Sequence, residues 1–348
     1  MADTLATALA WTEAGRSVAL ATVVSTWGSA PRRPGATMCV SADGEFEGSV
    51  SGGCVETAVV EAAQQSLESR EPRLLEFGVT NDLAWEVGLA CGGSVDVWVQ
   101  PSPSPALLSR MVAARARGGG GVLAIDLVSA EMSWFSGADR DDGHNGNVTD
   151  SPVDPLLEPY CVTCLRTGES SVVDADGHRT FLHALVPPLR VVIVGAVHIA
   201  QALAPMVIAA GYEVVVVDPR GLFATEERFP GLVVVRAWPA EAFMRLGIDS
   251  RTAVVALTHD PKFDDPALST ALRAGAAYVG ALGSRRTHAK RVTRLEESGL
   301  DPALIQRIRA PVGLDLGGRR PGEIAAAILA EIVRDTGVDG LKQNERST

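Results

Sequence analysis

Apolar positions in the first third of the chain switch between helical and alternating spacing at short intervals, the pattern of a small mixed fold. Leu5, Ala8, Leu9 and Trp11 follow Asp3 at helical spacing and predict an amphipathic helix capped by Asp3 and closed at Gly15. Val18 to Ser25 is a β-rich run, and Trp27-Gly28-Ser29-Ala30-Pro31-Arg32-Arg33-Pro34-Gly35 follows as a loop shaped by its prolines and glycines. A strand resumes at Ala36 to Val40, Asp43-Gly44 marks a hairpin turn, and a short strand then runs into Ser51-Gly52-Gly53-Cys54-Val55-Glu56. Val55, Val59, Ala62, Ala63 and Leu67 recur at helical spacing, which puts that run at the amino terminus of a helix over Val55 to Arg70. Arg73 to Phe77 and Ser94 to Gln100 read as strands, the second with Val95, Val97 and Val99 alternating. Pro101-Ser102-Pro103-Ser104-Pro105 then predicts the exit from a first domain.

The middle carries a strand at Val122 to Leu127 and a polar stretch from Gly137 to Pro155, rich in Asp, Gly and Asn, that reads as a loop. Beyond Pro187-Pro188 the pattern changes again. Arg190 to Val194 is a continuous apolar run, as in a strand buried on both faces of a parallel sheet. A helix to Ala210 follows, then a strand at Glu213 to Val217, a strand at Val233 to Arg236 and a short helix near Glu241. Further units are a strand at Thr252 to Thr258, a helix over Pro266 to Ala274, a strand at Ala277 to Ala281 and a helix over Arg285 to Glu297. This alternation predicts an α/β chain: an N-terminal α+β domain over residues 1–100, a β-rich middle segment and linker over 101–188, and a C-terminal Rossmann-like doubly wound parallel sheet over 189–340. Ligands of such a sheet sit at the carboxyl ends of its strands.

Composition narrows the function. Aromatic residues are 5% of the 348 positions, so aliphatic side chains must fill the cores. The 31 basic against 42 acidic residues give a net charge of -11, which opposes nucleic acid or an anionic membrane as partner. Val191 to Val217 is long and apolar, yet Gly195, His198, Gln201, Pro205, Gly211 and Glu213 punctuate it, so no membrane span is expected. Five cysteines without a basic-then-apolar leader fit the reducing cytoplasm better than a disulfide framework.

Two of those cysteines are flanked by glycines in mirrored order, Gly52-Gly53-Cys54 and Cys91-Gly92-Gly93. Glycine beside a thiol removes the wall that covers it and permits positive φ, so each sulfur can meet a ligand as thiolate or sulfur carrier. The alternative is a pair of buried cysteines beside two turns. A helix amino terminus lowers a thiol's pKa and favours anions, and Glu56 either accepts a proton or caps the helix. Arg32 and Arg33 either recognise phosphate or are exposed turn residues. Cys161-Val162-Thr163-Cys164 is a lone CxxC without the further ligands of a zinc site and reads as incidental thiols.

Gly195-Ala196-Val197-His198-Ile199-Ala200 stands where a dinucleotide fingerprint would, with Asp218 at the end of the next strand as the ribose acceptor. Val197 replaces the second glycine and crowds the path of a pyrophosphate, which weighs against ordinary NAD(P) binding. Gly283-Ser284-Arg285-Arg286 either gathers amides, a hydroxyl and guanidinium groups on an anion, or is a capped helix start with solvated arginines. His259, in Thr258-His259-Asp260 near the same sheet edge, is an acid, a base or a loop histidine. No nucleophile triad, Walker loop or catalytic carboxylate pair is present in the sequence.

These segments, with the Thr26 to Arg32 loop, Asp218-Pro219-Arg220, Tyr278 to Arg286 and Pro311-Val312-Gly313-Leu314-Asp315-Leu316-Gly317, together resemble the XdhC/CoxI family, accessory proteins for maturation of xanthine dehydrogenase and related molybdenum hydroxylases. The resemblance spans nearly the whole chain apart from the loose middle. It implies an XdhC/CoxI-type thiol-loop domain ahead of the Rossmann-like one, and a non-catalytic chaperone that binds molybdenum cofactor (molybdopterin or its dinucleotide form). Such a chaperone protects the cofactor during sulfuration and delivers it to an apo-hydroxylase, with a cysteine desulfurase and that hydroxylase as partners. Cys54 and Cys91 would approach the metal, which is soft enough to welcome thiolate, or carry sulfur. Arg32, Gly52, Gly53, Glu56 and Gly92 would bind the cofactor beside those thiols, while Gly195, His198, Asp218, His259, Ser284 and Arg285 would hold its phosphate end. If the two sites face one another, the ligand lies in the cleft between the domains. The family more often has Gly-Ala-Gly-His where this chain has Gly195-Ala196-Val197-His198. Competing expectations are an NAD(P)-dependent oxidoreductase with His198 or His259 as proton shuttle, and a scaffold that docks hydroxylase to sulfur donor without touching cofactor. A homodimer is the base expectation for assembly.

Overall fold

The computed structural model describes residues 3–28, 32–53, 55–78, 93–116, 119–136 and 153–337. The chain divides into two compact units, Met1–Pro187 and Pro188–Thr348.

In the first unit, α1 (Thr4–Glu13) begins at Asp3, whose carboxylate accepts from the Leu5 amide at 3.1 Å. Then come β1 (Val18–Trp27), β2 (Thr37–Ser41), β3 (Phe46–Gly48), α2 (Glu56–Ser69), β4 (Arg73–Phe77) and β5 (Ser94–Pro101). These strands form a five-stranded antiparallel sheet in the order β3-β2-β1-β5-β4. Both faces of β1 are apolar because both are covered. Ala19, Ala21 and Val23 meet Val55, Val59 and Ala63 at α2, while Val18, Leu20 and Val24 point into a second core on the opposite face.

That second core joins the rest of the unit. Ser104 does not lead out of the fold; its hydroxyl accepts from Leu107 N at 3.2 Å and starts α3 (Pro105–Ala114). Leu107, Leu108 and Met111 of α3 pack with Leu20 and Trp98 of the first sheet and with Leu123, Ile125 and Phe181 of a second. The second sheet is built from β6 (Gly121–Asp126), β7 (Met132–Phe135), β8 (Ser171–Ala175) and β9 (His178–Leu185), with α4 (Glu158–Thr167) between β7 and β8 in sequence. Its order is β7-β6-β9-β8, antiparallel throughout. Its outer face packs on α4 through Val122, Ala124, Leu182, Cys161 and Cys164.

The second unit is the expected doubly wound sheet. It contains β10 (Arg190–Val194), α5 (His198–Ala209), β11 (Glu213–Val217), β12 (Val233–Val235), α6 (Pro239–Leu246) and β13 (Thr252–Ala256). It continues with α7 (Pro261–Arg273), β14 (Tyr278–Ala281), α8 (Arg285–Glu297), α9 (Pro302–Ile305), β15 (Ile308–Arg309) and α10 (Pro321–Thr336). The parallel order β12-β11-β10-β13-β14-β15 reverses direction between β10 and β13, the switch point at which ligands of such sheets bind. Val191 and Ile193 face α5 and α10, and Val192 and Val194 face α6, α7 and α8. The helix predicted from Pro266 starts earlier, at Pro261, because the Asp260 carboxylate caps it by accepting from Lys262 N at 2.9 Å. Among the described residues no helix is long and apolar enough to cross a membrane.

The turn after β10 admits only glycine at its first position. Gly195 has φ +108°, and a Cβ there would lie 2.6 Å from the Thr258 methyl. Gly195→Ala is expected to lower the stability of the second unit by about 2 kcal/mol, and Thr258→Ser in the same chain to recover part of it. Urea unfolding of the single and double variants checks this, since equal losses in both would show that the methyl clash plays no part.

Candidate functional site

Antiparallel register decides where the loops of the first unit meet. Trp27 at the end of β1 pairs with Ser94 at the start of β5, and Gly48 at the end of β3 pairs with Met38 near the start of β2. The Trp27–Gly35 loop, the Ser49–Gly53 segment and the Gly93 entry to β5 therefore all leave the same end of the sheet. Three strand spacings, about 14 Å, separate β3 from β5. Cys54, Cys91 and Gly92 lie outside the described residues, but their chain neighbours Gly53, Val55 and Gly93 are at this end.

One carboxylate shapes the Ser49–Gly53 segment. Glu56 opens α2, and its Oε1 accepts from Ser49 Oγ at 2.7 Å and from the amides of Val50, Ser51 and Gly52 at 3.3, 2.9 and 3.0 Å. Oε2 accepts from Ser51 Oγ at 2.6 Å and Gly53 N at 2.8 Å. Burial alone would raise the carboxyl's pKa, but the donated bonds from Ser51, Ser49 and the backbone outweigh it and hold Glu56 down to about 2. It is therefore ionised at neutral pH and serves as an internal anion rather than as an acid or base. The sequence offers Glu56 as a proton acceptor or a helix cap; in the structure it instead collects the donors of the Ser49–Gly53 segment that leads into α2. Gly52 and Gly53 have φ of +88° and +124°, are exposed, and among the described residues have no atom within 4 Å of where a Cβ would stand. Here glycine is needed for the backbone path.

Other predicted residues of this unit fall in different surroundings. Arg32 is exposed on the β1–β2 loop, and Arg33 lies 3.7 Å from Glu169. Cys161 and Cys164 are buried on α4, where burial raises both thiols, Cys161 to about 12. They fill core, as does Cys39, raised to about 11 by burial. Among the described residues no group of three or more His, Cys, Asp or Glu is placed to hold a metal ion.

In the second unit the structure brings Gly195, Asp218, His259 and the Ser284 turn to the carboxyl edge of the parallel sheet. Asp218 is 1% exposed, and its acceptors are taken. Oδ2 accepts from Ala196 N at 2.8 Å and Arg220 Nη2 at 2.7 Å, and Oδ1 from Arg220 N and Nε, both at 2.9 Å. Four donors fill the acceptor capacity of a carboxylate, so Asp218 ties the first turn to the second strand instead of presenting an oxygen to a ribose. Val197, at φ −90°, needs no glycine and packs on the core beside β10, while His198 is exposed. Ser284 caps α8 by accepting from Thr287 N at 3.2 Å, and Arg285 is exposed. His259 is exposed at φ +61°. Beside it a cavity of about 320 Å³ is lined by Arg286, Lys290, Arg291 and Arg294 of α8.

Comparison with known proteins places both halves. The XdhC Rossmann domain family matches residues 191–332, and the XdhC and CoxI family matches residues 11–78. The chain belongs to the XdhC and CoxI family. It is 29% identical over 324 residues to the molybdenum cofactor insertion chaperone PaoD of Escherichia coli K12, covering 91% of this chain and 83% of the relative. It is 26% identical over 319 residues to a protein of Bacillus subtilis 168 named as a probable xanthine dehydrogenase component, covering 90% of this chain and 92% of the relative. A crystal structure of a xanthine dehydrogenase from Bacillus halodurans, 23% identical, shares the fold at a TM-score of 0.70 over 96% of this chain and 95% of that one.

In this XdhC/CoxI chain Lys290, Arg291 and Arg294 are not among the residues expected from the sequence. The signal was present: Arg286, Lys290 and Arg294 recur every four residues, one face of a helix. Glu56 is the residue whose loss bears most directly on the thiol loop. Glu56→Gln is expected to cost about 2 kcal/mol in unfolding free energy at pH 7, since a neutral amide replaces charge-assisted acceptors. Because the folded pKa is depressed, this stabilisation is complete above the ordinary value of 4.5 and is lost as pH falls toward about 2. Urea titrations of both chains should show a gap that closes over that window; a gap independent of pH would count against the ionised clamp.

Proposed function

We propose that the chain is a molybdenum cofactor chaperone: it carries the cofactor as cargo, shields it while its terminal sulfido ligand is installed, and delivers it to a xanthine dehydrogenase-type apo-hydroxylase. Cys54 and Cys91 supply thiolates to the metal, and a cysteine desulfurase supplies the sulfur. The observation that supports this reading is the strand register that sends the Ser49–Gly53 segment and the Gly93 entry to β5 out of one end of one sheet. Among the described residues nothing stands within 4 Å of where a Cβ of Gly52 or Gly53 would be, which fits a ligand approaching the backbone there. Molybdenum is soft enough for thiolate, so the donor set suits the cargo. The relative named as a molybdenum cofactor insertion chaperone, aligned over most of both chains, supports the same reading. The alternative of a nicotinamide-dependent enzyme leans on Gly195 and Asp218, and Asp218 is committed to Arg220 and the Ala196 amide.

Protein purified without oxygen from a molybdate-fed host is expected to carry molybdenum together with a pterin that fluoresces on oxidation. In Cys54→Ser and Cys91→Ser the content should fall at least about tenfold, the scale on which even outer-shell losses weaken metal sites. Wild-type protein free of both metal and pterin, from a host that makes the cofactor, would turn the assignment toward a scaffold.

A further inference from the structure

The cavity beside α8 holds a charge pattern that the cargo reading of the first unit does not use. Arg291 is 1% exposed and lines it. Its Nη2 donates to Leu282 O at 3.0 Å and meets Asp264 Oδ2 at 3.3 Å. Among the described residues its Nε and Nη1 are buried with no hydrogen-bond partner. Buried guanidinium nitrogens are normally satisfied, because leaving a donor of a charged group unpaired costs more than a typical hydrogen bond is worth.

The neighbouring charges do not repair this deficit. Asp264 is itself buried and takes the Thr258 hydroxyl at 2.6 Å on its other oxygen. Arg294 is held by Asp265 through two bonds of 2.6 and 3.0 Å. Arg286 and Lys290 also line the cavity and have no ion pair among the described residues. Four cations thus face two carboxylates, an excess of two positive charges. His259 stands at the mouth, with its Nδ1 3.7 Å from where a Cβ of Gly283 would be.

We infer that this cavity is a binding site for a phosphoryl dianion, met by Arg291 from the floor and by Arg286 and Lys290 from the rim. Planar guanidinium donors suit the oxygens of phosphate, and Lys290 adds a point charge. The volume of about 320 Å³ exceeds a phosphate alone and leaves room for part of an esterified group. The residues that do this are Arg286, at the start of α8 and within the Gly283 to Arg286 element already read as a candidate anion site, and Lys290 and Arg291 one turn further on. The inference rests on the second unit alone and stands whether or not the first unit carries molybdenum.

Calorimetric titration of the full chain with inorganic phosphate tests the anion by itself, and phenyl phosphate and adenosine 5′-monophosphate test whether an ester binds better. Saturable phosphate binding is expected, weakened about tenfold in Lys290→Glu and in Arg286→Glu, as for loss of a charge-assisted contact. Arg273→Glu, an exposed arginine outside the cavity, should bind as wild type does. Tighter binding of either ester identifies an esterified phosphate as the natural ligand, and equal binding identifies the free anion. The chain with both Cys54→Ser and Cys91→Ser should bind phosphate unchanged, which separates this result from the fate of the cargo reading. Absence of saturable phosphate binding, or equal weakening by Lys290→Glu and Arg273→Glu, would overturn the inference.

Discussion

Four backbone amides and two serine hydroxyls between Ser49 and Gly53 turn inward onto the Glu56 carboxylate, and the shape of the thiol loop follows from that convergence. A turn with consecutive positive-φ glycines has a large conformational entropy in the unfolded chain, so it does not hold one form on its own. A buried ionised acceptor fixes it because each donor that leaves exposes charge to an apolar surround. The cost of burying the carboxylate is met locally, by the amino terminus of α2 and by donors only a few residues away in sequence. A rigid path is thereby built from the residues with the least intrinsic rigidity.

The sheet beneath supplies the second constraint. With β1 central and β5 beside it, a shift of one residue in the Trp27 to Ser94 pairing would exchange the faces of β1 and send apolar side chains to the wrong core. Burial on both faces therefore fixes the register, and the register fixes which loops emerge together. In the second unit Asp218 plays a comparable part, binding the turn after β10 to Arg220 and so coupling two strand ends of the parallel sheet. Both units use a buried carboxylate to set loop geometry, and in both the carboxylate is spent on the protein rather than left for a ligand.

Much of this was legible in the chain. Continuous apolar strands at Arg190–Val194 and Glu213–Val217, each followed by glycine or aspartate, announce a doubly wound sheet with near-exact bounds. The Asp3 cap, the Asp43-Gly44 turn and the Val95-Val97-Val99 alternation were equally plain, because each is a local signal. The second sheet was not. Strand β9 owes its place to pairing with β6 across a long sequence separation and carries its hairpin partner β8 with it, and α4 carries too little apolar periodicity outside its two cysteines to stand out. At the candidate sites, glycine spacing marked the Ser49–Gly53 turn, whose Gly52 and Gly53 do take positive φ. Glu56 was read as a proton acceptor or a helix cap and Asp218 as a ribose acceptor; that Glu56 would gather the Ser49–Gly53 donors, and Asp218 those of Ala196 and Arg220, depends on how these turns fold back on themselves. The basic face of α8 was visible as a four-residue repeat and needed only to be read as a face.

The claim that the two glycine-flanked thiols hold the cargo is tested most directly by their reactivity. Full-length protein carrying cofactor and the same protein stripped of it would be alkylated with iodoacetamide without oxygen, and each cysteine quantified by mass spectrometry. Cys54 and Cys91 are expected to react in the stripped protein and to be protected in proportion to bound molybdenum, while Cys39, Cys161 and Cys164, buried with raised pKa values, stay unreactive in both. Equal alkylation of Cys54 and Cys91 with and without the cofactor would contradict that claim.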